Sequence, residues 1–240
     1  MKKLLLATVV LAMTAGFASA QVVRLATEGA YPPFNFINDK GEVAGFEREL
    51  GDEICKRAAL ECTWTTNEWD SIIPNLQSGN YDAIIAGMSI TDERSKVIAF
   101  SDNYYPPTAS AYLAASADAD IKTGVVAAQV STIQAAYVAE SGATLLEFPT
   151  PDETVAAVRN GEAVAVFADK DYLRPFADES NGALVFVGED VAIGSGIGIG
   201  LRQSDTELKA KFDTAIKSMK ADGSINALID KNFGGKGLKF

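Results

Sequence analysis

The sequence contains no histidine, and Cys55 and Cys62 are its only cysteines. Because imidazole is the commonest general base and the commonest metal ligand, its absence excludes Ser-His-Asp and Cys-His catalysis. Glu, Asp or Lys could still transfer protons, so an enzyme stays open as a less favoured alternative. We expect no bound metal and no cofactor.

Basic residues are also scarce. The 21 Lys and Arg residues stand against 32 Asp and Glu residues, which gives a net charge of -11. Such a negative field repels phosphate backbones and anionic lipid head groups. Nucleic acid is therefore not an expected partner.

Long apolar runs are missing outside the N-terminus. There, Lys2 and Lys3 precede an apolar run over 4–13, and small residues follow as far as Ala20. This pattern predicts an export signal over residues 1–20, cut after Ala20. The run is too short to cross a bilayer, and no other segment offers about 18 consecutive apolar residues. We expect a soluble periplasmic chain that begins at Gln21.

The two cysteines lie seven positions apart in the sequence. An exported chain meets an oxidising compartment, where a lone pair of cysteines forms a disulfide. We therefore expect Cys55 and Cys62 to be bonded. The alternative is a pair of reduced structural thiols.

Strands alternate with helices along both halves of the chain. The segments "QVVRLATE", "CTWTT" and "YDAIIA" predict strands in the first half, and "VVAAQV" and "AVAVFADK" predict strands in the second. Helical patterns lie between them, as in "GFERELGDEICKRAAL" and "TIQAAYVAES". Such alternation favours α/β structure with largely parallel sheets, and the chain length allows two small lobes.

The two halves share one local pattern. Gly79 and Gly161 each follow a predicted helix, and a strand ends eight residues later, at Gly87 and at Asp169. If the halves are related, these strand ends are equivalent. They would then carry different chemistry at the same place in each lobe.

The segment "GSGIGIG" alternates glycine with serine or isoleucine. A dinucleotide loop needs its glycines at the start of a helix, whereas here "LRQSD" intervenes. The segment predicts a glycine-rich strand at a place where backbones approach closely.

The stretch "GMSITDER", residues 87–94, follows a predicted strand. Ligands of open α/β sheets bind beyond the carboxyl ends of the strands. Ser89 and Thr91 supply hydroxyl groups there, and Arg94 can hold a carboxylate with two parallel hydrogen bonds. We predict a site for a small carboxylate. The alternative is a capped helix with a solvated arginine.

Segments spread over most of the chain resemble one family. They are "ATEGAYPPFNF", "GEVAGFERELGDEICKR", "WDSIIPNLQSGNYDAIIAGMSITDER", the strand ending "FADK" and the terminal "LRQSDTELKAKFDTAIKSMKADGSINALIDKNF". Together they resemble the periplasmic polar-amino-acid-binding proteins of ABC importers, the lysine/arginine/ornithine- and histidine-binding group. The "CKRAALEC" spacing is also similar to the disulfide of that family.

The resemblance implies an α/β fold of two lobes joined by two crossover strands, with the ligand in the cleft. Lobe 1 would comprise 21–108 and 197–240. Lobe 2 would comprise 109–196, with hinge strands at its two ends.

The resemblance also implies roles for site residues. Arg94 would bind the ligand α-carboxylate, helped by the Ser89 and Thr132 regions, and Asp169 would receive the α-ammonium. Only a zwitterion of the right length then bridges both lobes and stabilises closure. Several relatives carry Ser-Ser where this chain has Ala86 and Gly87, so two hydroxyl contacts would become backbone contacts at best.

The resemblance implies the ligand class through three more residues. Tyr31 and Trp69 match the positions that sandwich the ligand side chain, and Glu28 matches an acidic position that meets its distal charge. We therefore favour arginine, lysine, ornithine or histidine. If Glu28 is solvated or paired within the protein, glutamine or another neutral polar amino acid fits better.

The predicted function is a monomeric binding protein, not an enzyme, that delivers an amino acid to a membrane-embedded ABC permease. The alternative is a dehydratase-like enzyme on the same scaffold that acts on a small carboxylate. Glu28 is then the only candidate proton-transfer group.

Overall fold

The computed structural model of the chain describes residues 22–240. The predicted export signal and its cleavage site lie outside the described residues. Within this range, no helix is both long and apolar enough to cross a membrane. The strands are β1 (Val23–Thr27), β2 (Ala30–Tyr31), β3 (Asn35–Ile37), β4 (Val43–Ala44), β5 (Cys62–Thr66), β6 (Ala83–Ile84), β7 (Ala99–Tyr105), β8 (Ala109–Ala114), β9 (Val125–Gln129), β10 (Thr144–Phe148), β11 (Ala165–Asp169), β12 (Val185–Ala192) and β13 (Ile197–Leu201). The helices are α1 (Phe46–Arg57), α2 (Trp69–Gln77), α3 (Asp92–Ser95), α4 (Ile133–Ser141), α5 (Pro151–Arg159), α6 (Lys170–Glu179), α7 (Thr206–Ala221) and α8 (Ser224–Asn232).

The chain forms two five-stranded sheets of the same design. The first has the order β5-β1-β6-β13-β7 and the second the order β10-β9-β11-β8-β12. In each sheet three strands are parallel and the last two run antiparallel to their neighbours. We call the parts of the chain that carry these sheets lobe 1 and lobe 2. The predicted two-lobed α/β fold is confirmed.

The chain passes between the sheets twice. Residues 106–108 lead from β7 to β8, and residues 193–196 lead from β12 back to β13. Strand β13 lies inside the first sheet, between β6 and β7. Lobe 1 is therefore completed by residues that follow lobe 2. The domain limits at 108/109 and 196/197 stay predictions.

Helix α1 shows how the sequence pattern builds the core of lobe 1. Phe46, Leu50 and Ile54 recur on one face and are fully buried. This apolar stripe is what directs an amphipathic helix onto a sheet. A disulfide between Cys55 and Cys62 ties the end of α1 to the start of β5, as expected.

Strand β13 confirms the reading of the glycine-rich segment as a strand. All of its residues are buried. A Cβ atom on Gly198 would lie 2.9 Å from Ile90 Cδ1, which is closer than such atoms approach. Glycine here allows the chain that follows β6 to pack directly on the strand.

Candidate functional site

A cavity lies between the two lobes. Its lining includes eight of the nine ligand-binding residues predicted from the sequence. These are Glu28, Tyr31, Trp69, Gly87, Ser89, Arg94, Thr132 and Asp169. Four further residues complete the lining, namely Ala86, Gln129, Ile133 and Gln134, and the sequence analysis missed the last three of them. Lobe 1 and lobe 2 both contribute, as the predicted cleft requires.

Thr91 is the predicted residue that the cavity does not include. Its hydroxyl group accepts a hydrogen bond from the backbone N–H of Arg94 at 3.1 Å. It therefore caps α3, which is a single turn of four residues. The role of Thr91 in this geometry is to fix the backbone from which the Arg94 side chain extends.

Arg94 forms the cationic end of the cavity. Its guanidinium donates to the backbone carbonyls of Ser89, at 2.9 Å, and Ser131, at 3.5 Å. It also lies over the Trp69 ring, with Cζ 5.2 Å from the ring centroid. No Asp or Glu in the described chain forms an ion pair with it. Burial lowers the pKa of Arg94 to about 10, because the charged form has lost water, and the charge of Asp169 offsets only part of this shift.

Asp169 lies on the opposite side, at the end of β11, and is 5% exposed. Its carboxylate accepts hydrogen bonds from the Tyr31 hydroxyl at 2.9 Å and from the Gln134 amide at 3.0 Å. Burial, together with the charge of nearby Asp171, raises the pKa of Asp169 to about 6. The charge of Arg94 lowers this pKa only in part, and both hydrogen-bond donors are neutral, so a cation placed beside Asp169 would stabilise its charge.

Glu28 marks the third charged position. Its carboxylate accepts a hydrogen bond from the Gln129 side-chain amide at 2.6 Å, and this contact joins the two lobes. Burial raises the pKa of Glu28 to about 7, and the negative charges of Asp152 and Glu47 raise it further. This carboxylate, too, lacks an ion pair among the described residues.

Gln129 has a fixed orientation. Its amide nitrogen also donates to the carbonyl of Pro149 at 3.0 Å. A carbonyl only accepts hydrogen bonds, so the nitrogen must face Pro149. Both N–H groups are thus engaged by Glu28 and Pro149. No donor among the described residues reaches the amide oxygen of Gln129, which is left to receive one from a ligand.

The two aromatic residues expected to sandwich the ligand each have one face covered by protein. The Tyr31 ring stacks on Tyr172 with centroids 4.2 Å apart, and Trp69 covers Arg94. The indole N–H of Trp69 also donates across the cleft to Ser131 at 3.3 Å. The sandwich itself stays a prediction, while both rings stand at the cavity as expected.

Gly87 takes part in the site through its backbone groups. Its N–H donates to buried Glu47 at 2.6 Å, so its carbonyl is the group left for a ligand. The residue has φ +63°, and a Cβ atom would lie 3.3 Å from Tyr31 Cδ1. Glycine is therefore required both by the backbone conformation and by the close approach of the Tyr31 ring.

Ser131 and Thr132 lie in the turn between β9 and α4 of lobe 2. Ser131 has φ +59°, a left-handed conformation that costs a serine more than a glycine. Its carbonyl is the acceptor shared by Arg94 and Trp69. The Thr132 hydroxyl caps α4 by accepting from the Ala135 N–H at 3.0 Å.

Comparisons with known proteins agree with this geometry. Residues 23–235 match the model of the bacterial extracellular solute-binding proteins, family 3. The crystal structure of a periplasmic His/Glu/Gln/Arg/opine family-binding protein from Silicibacter pomeroyi in complex with lysine is 67% identical. It has a TM-score of 0.89 and covers 91% of this chain and 100% of that one.

Two further relatives are more distant. The ABC transporter arginine-binding protein 1 of Escherichia coli strain K12 is 31% identical over 97% of this chain and 99% of its own length. An ancestral arginine-binding protein bound to glutamine is also 31% identical, with a TM-score of 0.82 over 89% of this chain and 98% of that one. The match of the family model to nearly all of the described residues establishes that the chain belongs to the bacterial extracellular solute-binding proteins, family 3.

Proposed function

We propose that this protein captures a basic amino acid in the periplasm by closure of its two lobes and delivers it to an ABC permease. The ligand would be arginine, lysine, ornithine or histidine, and the protein would act as a monomer. The observation that carries the proposal is the presence of three charged groups around one cavity, none of which forms an ion pair among the described residues.

The three groups define the ligand they would bind. Arg94 requires an anion, while Asp169 and Glu28 each require a cation. Leaving buried charges unpaired is costly, so a ligand that supplies one carboxylate and two cations stabilises all three. A basic amino acid carries this set, with the α-carboxylate toward Arg94, the α-ammonium toward Asp169 and the side-chain cation toward Glu28.

The distal end of the cavity favours a cation over a neutral amide. Glu28 and the oxygen of Gln129 are both acceptors. An ammonium or guanidinium group satisfies both with N–H donors. The side chain of glutamine would bring its own acceptor oxygen to this end, where the engaged amide of Gln129 has no N–H left to donate. The lysine-bound relative and the arginine-binding relative support the same class, while the glutamine-bound ancestral protein keeps glutamine as the alternative.

The dehydratase-like alternative depends on Glu28 as a proton-transfer group. The raised pKa of Glu28 would suit that role. The same shift has a simpler cause, because a buried carboxylate without a cation has a raised pKa in any case. Intact Arg94 and Asp169 favour reversible capture of a zwitterion over turnover.

A thermal-shift screen tests the proposal. The ligand-stripped protein is screened against all common amino acids and ornithine, together with Asp169→Asn. A ligand that binds only the folded state raises the melting temperature. We expect a rise with basic amino acids that is lost in the variant. A rise with glutamine alone would contradict the ligand class, and chemical conversion of a bound carboxylate would contradict the binding function.

A further inference from the structure

We infer that Glu47 is a positioning residue that holds both ligand-binding loops of lobe 1 in their binding geometry. The inference rests on the proposed function and concerns the same site. Glu47 lies on α1, is fully buried and does not line the cavity. It belongs to the segment "GFERELGDEICKR", in which the sequence analysis assigned it no role.

One oxygen of Glu47 holds the loop that follows β6. Its Oε1 accepts the N–H of Gly87 at 2.6 Å and the hydroxyl of Tyr104. Gly87 lies between the strand and the segment that carries Ser89 and Arg94. The buried carboxylate thereby fixes the backbone from which the anion-binding side chain extends.

The other oxygen holds the loop that follows β1. Glu47 Oε2 accepts from the Asn35 amide at 2.7 Å. The oxygen of that same amide accepts the N–H of Gly29 at 2.7 Å. Gly29 directly follows Glu28, so Glu47 controls the distal end of the cavity through Asn35.

An amide cannot replace this carboxylate. In Glu47→Gln, a side-chain oxygen placed toward Gly87 leaves an NH₂ group against the NH₂ group of Asn35. Asn35 could then flip only by abandoning Gly29. If the glutamine turns the other way, Gly87 loses its acceptor instead. Either way, one of the two loops loses a buried hydrogen bond.

The control is another buried carboxylate of lobe 1. Asp82, 9% exposed, precedes β6 at the end opposite Gly87 and binds Arg24 and Arg202. Asp82→Asn removes partly buried hydrogen bonds from the same sheet without touching either loop. We expect both variants to lower the melting temperature.

Calorimetric titration with L-lysine, at a temperature where both variants are folded, tests the inference. Glu47→Gln should weaken binding by roughly tenfold or more, because loosened support shifts the binding groups. Asp82→Asn should stay within about twofold of the wild type, since distant sites act independently. The loss in Glu47→Gln should also be non-additive with Glu28→Gln. Binding by Glu47→Gln within about twofold of Asp82→Asn, or strict additivity, would overturn the inference.

A second variant covers the case in which Glu47→Gln does not fold. Asn35→Ala releases Gly29 and leaves the Gly87 contact in place. It should lower the ratio of lysine to glutamine affinity, a change that loss of stability alone does not produce. An unchanged ratio would overturn the inference. If the wild type binds no basic amino acid, the proposed function fails, and the same variants are titrated with the amino acid that raised the melting temperature.

Discussion

The two lobes use equivalent strands in different ways. Strand β6 of lobe 1 and β11 of lobe 2 occupy the same place in their sheets. Each follows a helix whose C-cap residue is succeeded by a glycine of positive φ, Gly79 or Gly161. In lobe 2 the strand itself ends in the charged residue, Asp169. In lobe 1 the strand leads to Gly87, and the charge stands seven residues later, on Arg94.

The difference lies in how each charge is held. Asp169 is placed by the sheet, because it pairs with Ser110 on the neighbouring strand. Arg94 extends from a single helical turn and depends on side-chain and carbonyl contacts, with Trp69 below it and the Ser89 carbonyl beside it. One framework can thus present an anion through its strand and a cation through a loop.

Removing the charge of Arg94, which a loop carries, should have the largest effect on ligand affinity. We expect Arg94→Met to weaken L-lysine binding by roughly 1000-fold, because the ligand carboxylate would be buried without a partner. Calorimetric titration measures the loss. Arg48→Met is the matched control, since Arg48 also lies over a tryptophan of lobe 1, Trp64, at 5.8 Å but away from the cavity. Binding by Arg94→Met within about tenfold of the control would contradict the assigned role.

Neutralising the strand-borne charge should come next. Asp169→Asn keeps the shape of the side chain, and we expect roughly 100-fold weaker binding of L-lysine. 6-Aminohexanoate, which is lysine without its α-amino group, should bind the wild type and the variant equally. Asp190→Asn, which alters an exposed ion pair of lobe 2, serves as the control. If the wild type binds 6-aminohexanoate more tightly than Asp169→Asn does, Asp169 contacts a group other than the α-ammonium.

The distal contact should have a smaller effect and a selective one. We expect Glu28→Gln to weaken L-lysine and L-arginine binding by roughly tenfold, the value of a lost hydrogen bond to a charged group. L-glutamine binding should change little. Competition titrations with the three ligands give the ratio, and Glu61→Gln at an exposed position is the control. An equal loss of affinity for all three ligands would show that Glu28 does not contact the distal charge of the ligand.

The contact between Glu28 and the side-chain cation of the ligand should weaken as the pH falls. The pKa of Glu28 is raised to about 7 in the ligand-free site, so a cationic ligand must displace a proton below that pH. We expect L-lysine affinity to fall roughly tenfold from pH 8 to pH 6, with proton release on binding. The Asp169 carboxyl, with its pKa raised to about 6, contributes at the lower end.

Unfolding does not explain such a loss of affinity. A carboxyl whose folded pKa lies above its unfolded value stabilises the fold at low pH, and this contribution is lost as the pH rises through the folded pKa. The melting temperature without ligand, recorded at each pH, checks this point. An affinity independent of pH in the wild type, or an unchanged pH profile in Glu28→Gln, would contradict the assignment.

Altering Trp69, which supports the Arg94 side chain, should have the smallest effect on ligand affinity. Trp69→Phe keeps an aromatic face for the guanidinium and removes the N–H donated to Ser131. We expect about threefold weaker L-lysine binding, as for one long neutral hydrogen bond. Because Trp64 lies outside the cavity, Trp64→Phe is the control, and Trp69 should account for the fluorescence change on binding. A fluorescence change retained in Trp69→Phe would show that this residue does not sense closure.

The sequence was most informative where one segment determines its own structure. The spacing of Phe46, Leu50 and Ile54 predicts helix α1. Strand β13 is predicted because the glycines of its segment do not stand at the start of a helix. The predicted strand "YDAIIA" is shorter in the structure, where only Ala83–Ile84 remain in β6. The chain leaves the sheet early there, toward the turn at Gly87.

The site could be predicted only in part, because some of its residues act through distant partners. Arg94 and Asp169 are recognisable at strand ends, through local pattern and family resemblance. Gln129 matters because the fold brings it to Glu28, 101 positions away in the sequence. Glu47 stands among surface-like charges in "FERELGDE", and nothing local shows that it points inward. Local patterns carry no information about such pairings.

The place of β13 bears on the order in which the two lobes can fold. The strands of the second sheet lie within residues 109–192 and are complete once that stretch has emerged. The first sheet lacks an inner strand until residues 197–201 follow. During synthesis, lobe 1 therefore waits for nearly the whole polypeptide, while lobe 2 does not.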